Sequence, residues 1–289
     1  MIIDCHTHCF PPELSRDPQK WAKEKAEPHW SELVAPGNKK SIQDWASPEK
    51  MLQAMDEASV ERAVLLGWYW ENESTCRWHN EIISEWCEQA PDRFIGFASI
   101  LPSKTTLAQL ERAKALGLSG VGELHPGVQQ FNNQSPHWHT LANWCSQNRW
   151  ILNFHCTRPA GDHPRAIPTP FEDYKGMVKQ YPELTFIFAH WGAGLDLNFE
   201  KVQPKNVFYD CSASPLLYDI KIFRQLIETV GIEKILFGSD YPLRLYPSRQ
   251  KEADMESFIE DIRINGKLSP EETEALFADN FKKIIKANC

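Results

Sequence analysis

The chain opens with the stretch IIDCHTH at residues 2–8, where a short apolar run leads directly into two histidines. Successive side chains of a β-strand point to opposite faces, so we predict Asp4, His6 and His8 on one face and Cys5 and Thr7 on the other. Two imidazoles on one face can share a metal ion. An isolated His-x-His pair is more often two surface histidines, so a metal site needs further ligand residues elsewhere in the chain.

Seven further runs of apolar and β-branched residues follow, separated by segments with helical spacing and helix-capping residues. This alternation is typical of βα units and a parallel sheet. Eight strands are what a closed (β/α)8 TIM barrel requires, and no domain boundary is visible. We therefore predict a single α/β barrel domain over residues 1–289, with strands at residues 2–5, 62–67, 94–100, 120–124, 150–154, 185–189, 207–211 and 235–238.

The composition is that of an ordinary folded protein, with 42% hydrophobic and 24% charged residues. The formal net charge is −8 without a basic tail or stripe, which argues against nucleic acid or an anionic membrane as a partner. No apolar run approaches the roughly 18 residues of a membrane span, and no signal peptide is recognisable. We expect a cytoplasmic protein with eight reduced cysteines and a small-molecule substrate, and the sequence leaves a homo-oligomer open.

Metal-binding residue types stand where three later strands end. Predicted strands 5 and 6 end in His155 and His190, and strand 8 leads into Asp240. Polar residues at the carboxyl ends of barrel strands are typical of active sites. Imidazole and carboxylate together favour Zn²⁺, with Mn²⁺ or Fe²⁺ as alternatives. Together with His6 and His8, these residues predict a metal site at the C-terminal ends of the strands.

This set of residues resembles the amidohydrolase superfamily. The stretches AHWG at residues 189–192 and FGSDYP at 237–242 resemble its amidohydrolase-related branch. That branch contains aminocarboxymuconate-semialdehyde decarboxylase, resorcylate decarboxylases and pyrone-dicarboxylate lactonase. The resemblance implies a metal ion held by His6, His8, His155 and Asp240. It also implies that His190 is catalytic if one ion is bound and a ligand if two are bound.

The predicted fourth strand bears on the number of ions. It reads GVGELHP at residues 120–126 and carries Glu123 near its end. Many hydrolases of the superfamily bridge two metals with a carboxylated lysine or a glutamate at this place, whereas the decarboxylases of the branch generally lack such a ligand. Glu123 fits the bridging position, and a carboxylate that only supports the ligands is the alternative. His125 shares its alternation face and is a candidate for substrate contact.

Other polar residues extend the predicted site. Arg158 and Arg244 follow strands 5 and 8, where either can clamp a substrate carboxylate in bidentate fashion or be an ordinary surface arginine. Asp4 is predicted to orient a ligand histidine through its ring N–H, with backbone capping as the alternative. Asp210 and Ser212, at the end of strand 7, either contact substrate or pack against neighbouring strands.

A long segment from Phe10 to about Ala46 follows the first strand and is rich in proline and tryptophan. In a barrel, the loops after the strands form the active-site face. Prolines restrict the backbone, and tryptophans bury a large area at a modest cost in entropy. We therefore predict that this segment folds over the barrel mouth as an ordered lid.

The leading functional hypothesis is a metal-dependent hydrolase acting on an amide, ester or lactone of a small, carboxylated molecule with one or two ions. A bound ion lowers the pKa of water toward ~7, Asp240 takes the proton, and either His190 or the metal itself polarises the carbonyl. The runner-up is a non-oxidative decarboxylase on the same scaffold. A nuclease similar to TatD is less compatible with the charge, and a non-catalytic binding barrel conflicts with a complete ligand set.

Overall fold

The computed structural model describes residues 1–34, 41–157, 167–169, 171–193 and 204–288. Within these ranges it contains eight parallel β-strands at nearly the predicted places. The first strand continues through His8 instead of stopping at Cys5, which places both histidines of the opening motif in the strand. The strands are β1 (Ile3–His8), β2 (Arg62–Leu66), β3 (Phe94–Gly96), β4 (Gly120–Leu124), β5 (Ile151–Phe154), β6 (Phe186–Phe188), β7 (Val207–Asp210) and β8 (Ile235–Leu236).

The strands close into a barrel in chain order. Strands β1 to β3 form one parallel sheet and β4 to β8 another, each strand pairing with the next. An isolated bridge between Ala98 and Val121 joins the two sheets on one side. On the other side, the Cys5 N–H donates to the carbonyl of Phe237 at 2.9 Å. The predicted (β/α)8 barrel is therefore confirmed.

Helices connect the strands, as parallel pairing requires. Their starts follow ordinary capping chemistry: the Ser47 hydroxyl accepts from the Lys50 N–H, and Ser269 and Glu272 form a complete capping box. The helices are α1 (Pro18–Lys25), α2 (Pro28–Val34), α3 (Pro48–Glu57), α4 (Glu73–Gln89), α5 (Thr106–Ala115), α6 (Pro126–Gln129), α7 (Pro136–Gln147), α8 (Phe171–Gln180), α9 (Ala189–Gly192), α10 (Ser214–Leu217), α11 (Ile222–Val230), α12 (Glu256–Asn265), α13 (Pro270–Glu274) and α14 (Asn280–Asn288). Among the described residues, no helix is both long enough and apolar enough to cross a membrane.

Apolar side chains of the strands pack together in the core, and along the sequence they precede the polar residues of the site. One core cluster joins Ile3, Ile151, Ile187 and Leu236 with Phe281 of the C-terminal helix α14. In β1, β5, β6 and β8, each of these aliphatic residues precedes the candidate ligand of the same βα unit. The seven cysteines within the described residues are unpaired, and six of them are buried. The polar residues thus collect at one end of an apolar barrel.

The segment after β1 packs as a helical cover beside the barrel mouth. Phe10 and Trp30 are buried there in a second apolar cluster with Trp68 and Trp70, which follow β2. Helix α2 also contacts the segment after β2, where the Glu71 carboxylate accepts a hydrogen bond from the His29 N–H at 3.0 Å. Five residues of this segment line the cavity described below, so this part of it lies at the barrel mouth as predicted: His29, Leu33, Val34, Ile42 and Gln43.

Candidate metal centre

Six side chains with metal-binding groups meet at the carboxyl ends of five strands. Five of them are at most 5% exposed, and the sixth, His155, is half-buried. All six were candidate ligands by sequence, although they are up to 234 positions apart. They are His6 and His8 in β1, Glu123 in β4, His155 after β5, His190 after β6 and Asp240 after β8.

The two histidines of β1 form one half of this group. Their Nε2 atoms lie 3.3 Å apart. The His8 Nε2 lies 3.4 Å from Oε2 of Glu123 and 3.5 Å from Oδ1 of Asp240. These donor atoms come from three different strands and converge on one point.

The later histidines form the other half. Nδ1 of His155 lies 3.1 Å from Oε1 of Glu123 and 3.2 Å from Nε2 of His190. Glu123 therefore directs one carboxylate oxygen at His8 and the other at His155. A single carboxylate stands between the two pairs of imidazoles.

The spacing of these donor atoms fits divalent-ion binding. Zinc–nitrogen bonds of about 2.0–2.1 Å in tetrahedral geometry place neighbouring ligand atoms roughly 3.3 Å apart. The distances between donor atoms cited above, from 3.1 to 3.5 Å, bracket that value. Three overlapping triads, His6/His8/Glu123, Glu123/His155/His190 and His6/His190/Asp240, each place their donor atoms within 4.8 Å of one another. The donor set thus suits one or two ions.

Two of the six residues adopt a left-handed backbone conformation. His190 has φ 55° and Asp240 has φ 68°. Such conformations are uncommon outside glycine and cluster at functional sites. The His190 N–H donates to Oδ1 of Asp210 at 3.2 Å, and the Asp240 N–H donates to the His6 carbonyl at 2.8 Å. These hydrogen bonds hold both side chains toward the centre.

Close backbone approach explains two glycines of the site. A Cβ atom at Gly238 would lie 2.7 Å from the Cβ of His6. Gly122, immediately before Glu123, has φ 147°, and a Cβ there would lie 2.6 Å from the Cβ of Asn153. Only glycine fits at either position, so these residues let β1 and Glu123 reach their places.

Asp210 orients the histidines around it. Nδ1–H of His6 donates to Oδ2 of Asp210 at 2.9 Å, so Nε2 is the nitrogen that faces the centre and would release its proton to bind a metal ion. Oδ1 of Asp210 accepts from the Ser212 hydroxyl. The His190 Nδ1–H donates to the Ser212 carbonyl at 3.1 Å. One carboxylate therefore sets the tautomer of His6 directly and supports the turn that carries His190.

The prediction that Asp4 orients a ligand histidine through its ring N–H is wrong. Its Oδ1 accepts the backbone N–H groups of His6 and Ser239, at 3.1 and 3.0 Å. The pairing of β1 with β2 shifts register between Asp4 and Thr7, and such an irregularity interrupts strict alternation. Asp4 therefore caps backbone, which was the alternative interpretation.

Electrostatics within this buried site favour anionic carboxylates. Burial lowers the pKa of His6, but the carboxylates of Asp210, Glu123 and Asp240 outweigh it and raise the pKa to about 10. For Glu123, burial raises the pKa, but the nearby His155 and His6 outweigh it and hold it well below its usual range. The site concentrates negative charge and is therefore suited to cations.

A cavity of about 370 Å³ opens onto the candidate ligands and falls within the size range of small-molecule sites. Glu123, His155, His190 and Asp240 lie at its polar side. The other lining residues are mostly apolar. They include Leu33, Val34 and Ile42 of the lid segment, Trp68 and Tyr69 after β2, and Leu216, Leu217 and Leu243.

The predicted substrate-binding residues are not brought together. Arg244 does not line the cavity, because its guanidinium donates to the backbone carbonyls of Ser41 and Lys251 and so ties the lid segment to the loop after β8. His125 also lies outside the cavity lining and stacks on His155 with ring centroids 5.5 Å apart. Arg158 lies outside the described residues.

Sequence reasoning missed two features of the site. It left the role of Asp210 open, although a carboxylate at the end of β7 carried the same signal as Asp240 after β8. It also passed over Tyr69, which stands between Trp68 and Trp70. Tyr69 is 1% exposed and lines the cavity. Its position in a run of three aromatic residues concealed it.

Comparison with known proteins gives a family match over nearly the whole chain. The model of the family described as "Amidohydrolase" matches residues 3–284. A comparison with curated proteins found no match.

Solved structures share the fold at low sequence identity. A 5-carboxyvanillate decarboxylase from Sphingomonas paucimobilis has a TM-score of 0.72 at 14% identity, covering 99% of this chain and 98% of that one. A 4-oxalomesaconate hydratase from Rhodopseudomonas palustris has a TM-score of 0.69 at 17% identity, covering 99% and 96%. A dihydroxybenzoic acid decarboxylase from Polaromonas sp. JS666, solved with manganese and 2-nitroresorcinol, has a TM-score of 0.67 at 18% identity, covering 100% and 97%.

Proposed function

Because this chain belongs to the amidohydrolase family, we propose that it is a metal-dependent hydrolase that holds two divalent ions and cleaves an ester, lactone or amide bond of a small molecule. The observation that carries this proposal is the position of Glu123. Its two carboxylate oxygens lie 3.4 Å from Nε2 of His8 and 3.1 Å from Nδ1 of His155. A carboxylate shared between two imidazole pairs suits a bridge between two ions.

The ligand set we propose follows from this geometry. His6, His8 and Asp240 would hold one ion, His155 and His190 would hold the other, and Glu123 would be shared by both. The donor set suits Zn²⁺, with Mn²⁺ and Fe²⁺ as alternatives. Ions bound there would lower the pKa of a water molecule and polarise the substrate carbonyl.

The protein's own groups complete the chemistry. Asp240 lines the cavity, so its carboxylate is placed to accept a proton from the attacking water and return it to the leaving group. Asp210 holds His6 in one tautomer. The apolar walls favour a substrate with an apolar body beside the bond that is cleaved.

Removing the metal tests the proposal directly. We expect the purified protein to contain two transition-metal ions per chain, and 1,10-phenanthroline to abolish hydrolysis of a panel of small esters and lactones. Added Zn²⁺ or Mn²⁺ should restore it. The unfolding temperature should also fall on chelation, because a ligand that binds only the native state stabilises it. Elemental analysis measures the metal content. A protein without stoichiometric transition metal, whose activity survives the chelator, would count against the proposal.

Asp210→Asn should weaken metal binding without removing a ligand. Asparagine keeps the shape but loses the charge that orients His6, and losing such a partner typically costs about 10- to 100-fold in metal affinity. Competition titration with a chromogenic chelator measures this. Asp4→Asn is the matched control, since Asp4 is equally buried and accepts from backbone. Equal affinities in the two variants would contradict the role of Asp210.

Non-oxidative decarboxylation is the second candidate, because two of the similar solved structures are named as decarboxylases. It shares the ligands apart from Glu123. The products discriminate: a decarboxylase releases CO₂ from a carboxylated phenol and consumes no ester or lactone. Release of CO₂ from 2,6-dihydroxybenzoate by the metal-loaded protein, without ester or lactone hydrolysis, would favour this candidate.

A further inference from the structure

Tyr69 contacts both an apolar and a polar residue of the cavity lining. It follows β2 and stacks on Trp68, with ring centroids 4.4 Å apart. Its ring also lies 4.9 Å from the ring of His155. Tyr69 and Glu123 line the same cavity. The aromatic packing fixes the ring beside the proposed metal centre.

The hydroxyl of Tyr69 is buried and has no hydrogen-bond partner among the residues that the structure describes. Buried hydroxyl groups are nearly always hydrogen-bonded, so an exception beside a ligand cavity needs an explanation. Two other tyrosines, the buried Tyr174 and the half-buried Tyr246, have hydrogen-bond partners. The Tyr174 hydroxyl donates to the His155 carbonyl at 2.7 Å, and the Tyr246 hydroxyl donates to Asp261 at 2.7 Å. A bound molecule is the natural partner for the Tyr69 hydroxyl.

The chemistry of a phenol determines what the Tyr69 hydroxyl can do. The ordinary pKa of a phenol is about 10, well above neutral pH. The phenol therefore keeps its proton and acts as a hydrogen-bond donor. Such a donor, held in a water-poor site, is most effective toward an oxygen that gains negative charge during the reaction.

We propose that Tyr69 is a catalytic residue that donates a hydrogen bond to the substrate carbonyl oxygen as that oxygen becomes an oxyanion. This role rests on the proposed hydrolysis. Water adds to the carbonyl carbon, the carbonyl π electrons move onto the oxygen, and Asp240 takes the proton of the water. When the carbonyl re-forms, the bond to the leaving group breaks and that proton passes to the leaving group. Tyr69 keeps its proton throughout.

The test compares Tyr69→Phe with wild type, using two probes of different shape. Methyl benzylphosphonate is a tetrahedral anion that imitates the oxyanion, and phenylacetamide is planar and neutral. With metal-loaded proteins in a calorimeter, we expect Tyr69→Phe to bind the phosphonate about 10- to 100-fold more weakly, the loss typical of a hydrogen bond to a charged group. Binding of the planar amide should change less than about threefold. If Tyr69 only supported the structure, Tyr69→Phe would weaken the binding of both probes to the same extent.

Tyr246→Phe is the matched control, because it removes a hydroxyl that is bonded to Asp261 and does not line the cavity. It should bind both probes as wild type does. Metal content is measured for every protein.

The outcomes separate this inference from the proposed function. Metal-loaded wild type and Tyr69→Phe that bind the phosphonate equally well overturn the role of Tyr69 alone. So does an equal weakening for both probes, or a loss of metal from Tyr69→Phe, because each would make the residue a structural support for His155. A wild-type protein that takes up no metal overturns the proposed function and this role with it.

Discussion

We expect the wild type to hold two divalent ions and Glu123→Gln to retain one, and we expect the variant to hydrolyse its best ester or lactone substrate on the order of 100- to 1,000-fold more slowly. Glutamine keeps the size of the side chain and one carbonyl oxygen. It loses the negative charge that two of the three candidate triads share. Elemental analysis and steady-state kinetics on the same preparations measure both effects.

The physical reason is repulsion between the ions. Unit charges 4 Å apart interact by roughly 4 kcal/mol at an effective dielectric constant of 20, and two divalent ions multiply this energy. The paired ions of such sites lie about 3.5–4 Å apart. A bridging carboxylate attracts both ions, whereas an amide leaves their repulsion poorly compensated. The more weakly held ion should therefore leave.

Glu27→Gln supplies the control for this experiment. Glu27 is 1% exposed like Glu123, but its carboxylate accepts from the backbone N–H groups of Glu71 and Asn72, away from the candidate ligands. That variant should keep two ions and normal turnover. A single ion in both the wild type and Glu123→Gln would contradict the bridging role of Glu123 and favour the one-metal arrangement. His190 would then be free to act as an acid or base.

Asp240→Asn should cause a comparable loss of turnover through a different step. Asp240 directs Oδ1 at His6 and His8 and Oδ2 at Nδ1 of His190, with distances of 3.5 to 3.8 Å. Asparagine retains an oxygen for an ion but cannot accept the proton of the attacking water. Proton transfer by a positioned side chain typically contributes about 10²- to 10⁴-fold, so we expect a loss of that size.

Kinetics and metal content have to be read together for this variant. We expect kcat to fall far more than metal occupancy, because the asparagine oxygen and the other ligands remain. Asp261→Asn, outside the cavity lining, should behave as wild type. An Asp240→Asn protein with both ions and normal kcat would show that another group accepts the proton.

The sequence predicted the barrel because the evidence for strands is local. Each strand is a short apolar run between helical segments, and the eight predicted positions overlap the eight observed strands. The exact strand ends were less accessible. Residues 94–100 were predicted as a strand, but regular pairing stops at Gly96 and continues only as the isolated bridge at Ala98. Strand length depends on pairing partners, which lie far away in the chain.

The candidate ligands were also predictable, because parallel strands bring their carboxyl ends to one edge. The strand-end rule and the family resemblance together named all six side chains that meet in the structure. Their roles as ligands remain a proposal. Neither approach could tell which carboxylate orients His6, since Asp4 is two residues away and Asp210 is 204 residues away.

What the sequence determined by itself is therefore the order of strands and the chemistry at their ends, since both are written in short, contiguous patterns. Only the tertiary structure decided which groups each side chain of the site contacts. It paired His6 with Asp210, turned Arg244 away from the cavity toward the Ser41 carbonyl, and left the Tyr69 hydroxyl without a partner among the described residues. These outcomes depend on distances and directions between side chains that are distant in the sequence. Such geometry is defined only when the barrel closes and its loops pack, and no local pattern encodes it.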